Sequence, residues 1–419
     1  MKTALLLVGD ELLDGRVRDS NGHCFAALFR EHGVDLRRST TVGDGLSDIV
    51  AALTELVGLA DFVLISGGIG PTEDDRTREA VARFLGVDLI DDGVTWAEIC
   101  ARFEVLGRPA PSPANRVQAL LPRGAQRLPN PVGTAPGFVA EVAPKKHIAA
   151  IPGVPSEARR MFEDHILPLV TRGAELPQRT LLFAGVAESQ LGHLLAHEMQ
   201  EREDVRVGIT ASWSLLAVTV RARDDVLLAA TLERVRSIGA TWFVGAGSRG
   251  IEDLLVATLA EHGLELTLAE SCTGGLVAAR VTSVPGASLV LGESYVTYSN
   301  EAKQRLLGVP SSVLESDGAV SEACVRAMVA GLAERSSAQL RGAISGIAGP
   351  GGGSPDKPVG LVHFAVSCGT NATVAWSRRY GDCGRNEVRE RAATDLLLQL
   401  YLAARAHGAA KTGSAAPIC

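Results

Sequence analysis

The sequence has few aromatic residues, no paired cysteine motif and no long apolar run. Phenylalanine, tryptophan and tyrosine make up 4% of its 419 residues. The seven cysteines are odd in number and scattered without a C-x-x-C pair, so the sequence predicts neither a disulfide framework nor a cysteine zinc site. This usage favours a reducing, cytoplasmic compartment. No apolar run approaches the roughly 20 residues that cross a bilayer, and we expect no membrane partner.

Positive charge is also in short supply. Lysine and arginine together number 41 against 48 acidic residues, which gives a formal net charge of −7. An acidic chain without a long basic run lacks the electrostatic footprint that nucleic acids and anionic membranes require, so we do not expect nucleic acid as a partner. Hydrophobic residues make up 46% of the chain, and its length predicts two or three domains with cores of their own.

The order of apolar and helical patterns divides the chain into three domains. Over residues 1–170, short apolar runs alternate with helical patterns, which predicts a doubly wound, mostly parallel α/β sheet. Linker-like composition at 171–178 begins a stretch, 171–248, that predicts a small α+β domain. Residues 249–412 alternate strands and helices again and predict a third, α/β domain. The tail HGAAKTGSAAPIC has little to bury, and we expect it to be disordered.

The segment DFVLISGGIGPTEDDRTR contains the first candidate site. An apolar strand runs into Gly67, Gly68 and Gly70, and a helical pattern follows. Glycines let the backbone approach a ligand closely, and free N–H groups at a helix start can bind phosphate. Asp74 and Asp75 follow directly. Two carboxylates beside a phosphate are what a divalent metal needs to bridge protein and phosphate oxygens.

Three further acids follow strand-like runs elsewhere in the first domain. Asp10 and Glu11 come after the first apolar run, and Asp44 lies in the turn TVGDG. Parallel strands would gather these strand ends at one edge of the sheet, which predicts an acidic, metal-binding cluster. A plainer interpretation is a glycine turn whose acids only complement a helix dipole. The residue pattern leaves both interpretations open.

The segment LELTLAESCTGG contains the second candidate site. Ser271 follows a strand and precedes a helix, where backbone N–H groups could stabilise an oxyanion. A serine needs a base, and Lys303 falls in the first turn of a later helix, where burial and the helix dipole would lower its pKa. The neutral amine could then accept the serine proton, as in serine–lysine variants of the catalytic triad. Tyr298 could relay the proton or position the amine. The glycine loop SGIAGPGGGSPDKPVG could wrap a phosphate or supply oxyanion donors.

Each of these residues also has a plainer interpretation. Ser271 alone could cap a helix, and Lys303 alone could be a solvated surface residue. Cys272 is a rival nucleophile, but no histidine stands in a matching loop to generate its thiolate, which favours a buried packing role. Either Ser299 or Asn300 could cap the helix that carries Lys303.

Several long motifs in order give the chain a resemblance to a known family. The segments GDELLDGRVRDSN, GGIGPTEDDRT, NPVGTAPGF and IPGVPSE resemble the molybdopterin-binding, MoCF-like fold. The segments AESCTGG, VTYSNEAK, GAVSE, SGIAGPGGG and KPVG resemble the nicotinamide mononucleotide (NMN) deamidases. Over nearly its whole length the chain therefore resembles the CinA, or competence/damage-inducible, family.

The resemblance implies two activities. The C-terminal domain would hydrolyse the carboxamide of NMN to nicotinate mononucleotide and ammonia without a cofactor, with Ser271 as nucleophile, Lys303 as base and Tyr298 assisting. The N-terminal domain would be an ADP-ribose pyrophosphatase dependent on a divalent metal. A KH-like middle domain and a homodimer are also implied. The alternative is a non-catalytic protein that binds a nucleotide, a pterin or a competence-related partner.

The resemblance also implies the ligand-binding residues. The family run G-D-R-x-x-V-R reads GDCGRNEVR here, with two residues inserted. Arg385 and Arg389 are the candidates for its arginines, which the resemblance implies would hold the ligand phosphate. The other implied substrate contacts of the C-terminal domain are Glu270, Thr273, Gly274, Gly275, Asn300, Gly346, Ala348, Gly349, Gly351 and Gly352. Those of the N-terminal domain are Asn21, Gly67, Gly68, Gly70, Pro71 and Thr72, with Glu11, Asp44, Asp74 and Asp75 as metal ligands.

Overall fold

The chain forms two compact units, Met1–Pro177 and Gln178–Cys419. The structure, a computed structural model, describes residues 1–171, 176–247 and 250–412. Most of the predicted linker, the predicted boundary at residue 248 and the tail after Thr412 lie outside these residues. Within them, no helix combines the length and the apolar character that a membrane span requires.

The first unit is built on a mixed sheet of six strands in the order β2-β1-β3-β8-β7-β6. The strands β2, β1, β3 and β8 are parallel, while β7 and β6 are antiparallel, and β4 pairs with β5 in a short separate ribbon. The parallel half confirms the predicted doubly wound fold. The strand bounds are β1 (Lys2–Val8), β2 (Asp35–Val42), β3 (Phe62–Ser66), β4 (Leu89–Asp91), β5 (Leu120–Pro122), β6 (Gln126–Leu128), β7 (Gly137–Ala143) and β8 (Lys146–Ile151).

Helices cover both faces of this sheet. Along β1, Leu6 packs against Ile49 of one helical layer, whereas its neighbour Leu5 packs against Phe25 of the other. Burial on both faces explains why the central strands are almost entirely apolar. The helices are α1 (Asp10–Leu13), α2 (Asn21–Glu31), α3 (Leu46–Leu59), α4 (Thr77–Leu85), α5 (Gly93–Val105), α6 (Pro155–Met161) and α7 (Leu167–Val170), with a 3-10 helix at Pro113–Ala119 and a π-helical turn at Phe162–Ile166.

The second unit contains two sheets. An antiparallel sheet has the order β10-β11-β9-β12, and a five-stranded sheet has the order β14-β13-β15-β16-β17, in which β13 is parallel to both of its neighbours. Their strands lie within the ranges predicted for the middle and the C-terminal domain, residues 171–248 and 249–412. The bounds are β9 (Gln178–Ala184), β10 (Val205–Ser212), β11 (Leu215–Ala222), β12 (Phe243–Ala246), β13 (Leu266–Glu270), β14 (Leu291–Val296), β15 (Leu340–Gly346), β16 (Leu361–Cys368) and β17 (Val374–Arg379).

The helices of the second unit follow the predicted order, with two differences. The helical pattern that starts at Glu188 ends at Leu194, and the tail predicted as disordered is helical as far as Thr412, because Gly408 is buried beside His262. The helices are α8 (Glu188–Leu194), α9 (Asp225–Ile238), α10 (Ile251–His262), α11 (Leu276–Thr282), α12 (Asn300–Leu307), α13 (Ser311–Ser316), α14 (Glu322–Arg335) and α15 (Arg385–Thr412), with 3-10 helices at Ala240–Trp242 and Ala287–Leu289.

The two sheets of the second unit share a hydrophobic core. Leu182 and Val244 of the antiparallel sheet belong to the same buried cluster as Tyr401 of α15. The Tyr401 hydroxyl and the Arg405 guanidinium both donate to the Val244 carbonyl, at 3.2 and 3.0 Å. The middle segment and the C-terminal segment therefore form one packed body.

Candidate active sites

The first candidate site is a cavity of about 460 Å³ at the carboxyl ends of β1, β3 and β8. Because these strands are parallel, the turns that follow them meet at one sheet edge. The cavity brings together most of the predicted loop and all four predicted metal ligands. Its lining includes Gly67, Gly68, Gly70, Pro71, Glu11, Asp44, Asp74 and Asp75.

The loop after β3 requires glycine for its path. Gly67 has φ +105°, and a Cβ at this position would stand 2.3 Å from the Val8 carbonyl oxygen. The Thr77 hydroxyl and amide donate to the carbonyls of Gly67 and Gly68, both at 2.9 Å. The amides of Gly68 and Ile69 have no acceptor among the described residues. These two donors are therefore available to a ligand.

Arg78 supports the loop from inside the fold, and the sequence reasoning missed it. It is 2% exposed, and its guanidinium donates to the Gly70 carbonyl at 3.2 Å and to the Ile69 carbonyl. Burial lowers its pKa to about 10, an effect that Asp75 opposes. Its position in the sequence, a few residues after the glycine loop, could have indicated this role. Its side chain holds two carbonyls of the loop in place.

The acids at this cavity have different tasks. The Asp44 carboxylate accepts from the Asp10 amide at 3.0 Å, and the Asp10 carboxylate accepts from the Asp44 amide at 3.2 Å. Burial raises the pKa of Asp44, and the carboxylates of Asp10, Glu11 and Asp74 raise it further. Asp75 accepts from the amides of Gly70 and Thr72, at 2.7 and 2.8 Å, and so shapes the loop.

The donors suit a hard cation, although no ligand set is already assembled. Within the described ranges, no group of three His, Cys, Asp or Glu side chains stands close enough to share one metal ion. Glu11, Asp44 and Asp74 nevertheless present carboxylate oxygens to one cavity beside the free loop amides. Mg²⁺ is commonly bound by one or two carboxylates together with substrate phosphates. The residues fit a metal that a phosphate ligand helps to hold.

Two predicted contacts of this site do not line the cavity, whereas an acid that was not predicted does. Asn21 donates from its amide to the Ser66 hydroxyl at 3.0 Å and the Gly153 carbonyl at 2.7 Å, which fastens α2 to the strand ends. Thr72 is bound to Asp75. The cavity instead gains Glu157 of α6, which accepts from the Asn130 amide at 2.7 Å. The motif IPGVPSE contained this residue.

The second candidate site centres on Ser271 and Lys303. Ser271 follows β13 and Lys303 lies in α12, which begins soon after the neighbouring parallel strand β14. The Lys303 Nζ lies 3.0 Å from the Ser271 Oγ and donates to the Thr297 carbonyl at 2.8 Å. Lys303 is 1% exposed, so its interpretation as a surface residue is wrong. Burial lowers its pKa and favours the neutral amine.

The turn after Ser271 is organised by Glu270. This fully buried carboxylate accepts from the amides of Gly275, Val277 and Ala278, at 3.0, 3.1 and 2.9 Å. The prediction of a substrate contact at Glu270 is therefore corrected, because its oxygens are used by α11. The same bonds occupy helix amides that we expected to stabilise an oxyanion. Ser271 does not cap α11, since Glu270 takes that role.

Cys272 is a poor rival to Ser271. It lies in the same turn and is buried. Burial raises the pKa of its thiol to about 12, so the thiol stays protonated near neutral pH and is a weak nucleophile. The packing role expected for Cys272 agrees with this environment.

A cavity of about 260 Å³ opens beside the serine and lysine. It is lined by Ser271, Cys272, Tyr298, Lys303, Ala319, Val320, Ser345, Gly346, Ile347, Ala348, Gly349, Gly351, Gly352 and Arg385. The amides of Ala348, Gly349, Gly351 and Gly352 have no acceptor in the part of the chain that the structure describes. Ser345, which the sequence reasoning missed, donates to the Ala319 carbonyl at 2.7 Å and holds that wall.

Several predicted contacts of the second site lie behind the cavity rather than in it. Gly274 and Gly275 have φ of +61° and +93°, and they form the turn into α11. Asn300 is exposed, and Ser299 rather than Asn300 caps α12 by accepting from the Ala302 amide at 3.1 Å. The predicted contacts missing from the cavity lining are Glu270, Thr273, Gly274, Gly275, Asn300 and Arg389.

Of the two candidate arginines, Arg385 lines the cavity. Its guanidinium donates to the Gly349 carbonyl and to the Tyr298 hydroxyl, both at 2.8 Å. Arg389 instead donates to the Thr273 carbonyl at 2.8 Å and supports the turn. Among the described residues the Tyr298 hydroxyl has no hydrogen bond to Ser271 or Lys303, and only its backbone carbonyl approaches Lys303, at 3.5 Å.

Together these features define an α/β protein with two glycine-loop cavities, one lined by acids and one built on a serine–lysine pair. Comparison with known proteins agrees with both halves. The family described as "Probable molybdopterin binding domain" matches residues 4–172, and the "CinA C-terminal domain" matches residues 248–403. The chain belongs to the CinA family.

Full-length relatives support this assignment. The chain is 43% identical over 414 residues to a "CinA-like protein" of Anaeromyxobacter dehalogenans, covering 97% of this chain and 100% of the relative. It is 41% identical over 377 residues to a "CinA-like protein" of Geobacter metallireducens, covering 88% and 91%. A crystal structure of the competence/damage inducible protein CihA from Agrobacterium tumefaciens is 41% identical and covers 37% of this chain and 95% of its own, with a TM-score of 0.36.

Proposed function

We propose that the second unit hydrolyses the carboxamide of NMN to nicotinate mononucleotide and ammonia. The observation that carries the proposal is the 3.0 Å contact between the Ser271 Oγ and the Lys303 amine, whose pKa is lowered by burial. A neutral lysine beside a serine hydroxyl suits acyl transfer. The free amides of the neighbouring glycine loop supply donors for an oxyanion.

The proposed reaction needs only groups of this chain and water. The Ser271 Oγ attacks the carboxamide carbon while its proton passes to the Lys303 amine. The tetrahedral intermediate collapses, the C–N bond breaks, and Lys303 returns the proton to the leaving ammonia. A water molecule then attacks the acyl-enzyme and gives a proton to Lys303. Cleavage of the ester bond releases nicotinate mononucleotide, and Lys303 reprotonates Ser271.

For the first unit we propose hydrolysis of the pyrophosphate of ADP-ribose. The amides of Gly68 and Ile69 would bind phosphate oxygens, and Arg78 would hold the loop in the shape that exposes them. Glu11, Asp44 and Asp74 would hold a divalent cation, which supplies Lewis-acid stabilisation of phosphate charge when bound. The rival for this unit is ligand binding without turnover, which the family description as a molybdopterin-binding domain favours.

One experiment tests both proposals. The full-length protein is incubated with NMN and with ADP-ribose, with and without divalent metal, and the products are separated. We expect ammonia and nicotinate mononucleotide from NMN with or without metal, and AMP with ribose 5-phosphate from ADP-ribose only with metal.

Two variants serve as matched controls for the amide reaction. Ser271→Ala removes the proposed nucleophile and should abolish turnover, whereas Cys272→Ala should retain most of it. The reverse pattern would transfer the role to the thiol. ADP-ribose that binds but is never cleaved under any metal would leave the first unit as a binding domain.

A further inference from the structure

We propose that Tyr298 binds the phosphate of the substrate as a hydrogen-bond donor, paired with Arg385, and does not relay protons to Lys303. This inference rests on the proposed hydrolysis of NMN and deepens it. It assigns the recognition of the phosphorylated substrate to one particular pair of side chains.

The direction of one hydrogen bond carries the argument. A guanidinium has five N–H donors and no acceptor, so the 2.8 Å contact between Arg385 Nη2 and the Tyr298 hydroxyl has the phenol oxygen as acceptor. The phenol proton must then point away from Arg385. It has no acceptor within the described part of the chain, and Tyr298 is 59% exposed at the cavity. Arg385 therefore presents this proton to whatever enters.

The surroundings favour an anion as that acceptor. Lys303 and Arg385 are the cations in the cavity lining, and Lys303 is 1% exposed beside Ser271. An anionic group of a ligand therefore meets Arg385, whose second donor is fixed on the Gly349 carbonyl. The free amides of Gly351 and Gly352 belong to the same loop. Remaining guanidinium N–H groups, a phenol O–H and backbone amides together suit a phosphate.

The same geometry argues against a relay. The Lys303 amine is already 3.0 Å from its partner Ser271 and is held by the Thr297 carbonyl at 2.8 Å. Tyr298 offers this amine only a backbone carbonyl at 3.5 Å, while its hydroxyl is engaged with Arg385. Proton transfer between Ser271 and Lys303 requires no third group.

The test compares NMN with nicotinamide riboside, which lacks the phosphate, in wild type and Tyr298→Phe full-length protein. A charge-assisted hydrogen bond from a partly exposed donor corresponds to a change of about tenfold in binding. We expect the KM for NMN to rise about tenfold in Tyr298→Phe, with kcat changed less than about twofold. Turnover of nicotinamide riboside should not change.

Two further variants sharpen the comparison. Tyr295→Phe is the matched control, because the Tyr295 hydroxyl lies on Glu293 of β14, away from the cavity lining, and it should behave as wild type. Arg385→Gln should also raise the KM for NMN. In the Arg385→Gln protein, Tyr298→Phe should raise the KM for NMN by a smaller factor than it does in wild type. The reason is that Arg385 no longer orients the phenol proton.

A relay would give the opposite result. The proposal is overturned if Tyr298→Phe lowers kcat by about a hundredfold for both substrates and shifts the pH profile. Inorganic phosphate provides a measurement that does not depend on turnover. The phosphate binding that is lost in Arg385→Gln is the binding at this cavity, and its affinity should fall severalfold in Tyr298→Phe. An unchanged affinity would refute the proposal, even if NMN were not a substrate.

Discussion

The two candidate sites use the same backbone device with opposite charges. In each unit a glycine loop follows a strand of a sheet and leaves backbone amides without acceptors among the described residues. The cavity of the first unit adds carboxylates, whereas that of the second adds a lysine and an arginine. Backbone amides bind an anion in either setting. The charges around them decide whether a metal is needed, so we expect dependence on metal only in the first unit.

Each loop is held by an arginine, and the two arginines differ in their exposure to the cavity. Arg78 is buried and donates to carbonyls of the first loop from inside the fold. Arg385 is exposed and holds the second loop from the cavity side. A buried cation contributes to the shape of a loop, whereas an exposed one also remains available to a ligand.

The largest expected effect comes from Lys303→Met. The substitution removes the proposed base at similar volume, and we expect hydrolysis of NMN to fall by about a thousandfold or more. Cleavage of ADP-ribose should remain, since it belongs to the other unit. Steady-state kinetics with both substrates measures the contrast. A Lys303→Met protein that still deamidates NMN would show that Lys303 is not the base.

The pH dependence of Lys303 gives a second readout of the same group. Because burial lowers its pKa, the rate should rise with pH through this lowered value, below the ordinary lysine value of about 10.4. The folded state then binds fewer protons than the unfolded state, so the free energy of unfolding rises with pH between the two values. Wild type should therefore gain stability relative to Lys303→Met across this range. If the free energies of unfolding of the two proteins changed with pH in parallel, the lowered pKa of Lys303 would be contradicted.

Removal of metal should have the next largest effect, and it should affect the activity of the first unit only. Addition of a chelator should reduce cleavage of ADP-ribose by at least about a hundredfold, because carboxylates alone repel the phosphates of the ligand. Hydrolysis of NMN should be unaffected. Asp44→Asn should reproduce the loss even in excess metal. Product analysis with both substrates measures this, and cleavage of ADP-ribose that survives the chelator would show that the acids do not act through a cation.

The smallest effect expected is that of Arg78→Met. The change leaves the carbonyls of Ile69 and Gly70 without a donor, and we expect the free energy of unfolding of the first unit to fall by about 2–4 kcal/mol. Arg76→Met removes only an exposed pair with Glu79, which is worth about 1 kcal/mol or less. Urea denaturation compares the two variants. Equal stability would mean that the loop does not depend on Arg78.

The sequence predicted the fold, and also which residues the fold brings together at each candidate site, because both depend on local patterns. Strand ends and glycine turns are visible in the residue order, and parallel pairing then brings Glu11, Asp44 and Asp74 to one edge. The same logic placed Ser271 near Lys303 across two adjacent strands. The implied homodimer and cytoplasmic location stay predictions.

The assignment of individual contacts was less successful, because it depends on where side chains point. Glu270 and Arg389 stand in the right motifs, yet both turn inward and bind backbone groups of the turn. Arg78, Glu157 and Ser345 reach their cavities or loops through tertiary packing that no local spacing encodes. Periodicity gives the face of an element but not the hydrogen-bond partner that a polar side chain chooses.

The shared core at Val244 decides how this protein can be divided. A fragment that began with α10 would expose the apolar surface of α15 that the antiparallel sheet covers, and would leave Tyr401 and Arg405 without their carbonyl partner. Such a fragment would tend to self-associate in solution. A fragment that keeps this packing of α15 therefore begins near Gln178, well before the family boundary at residue 248.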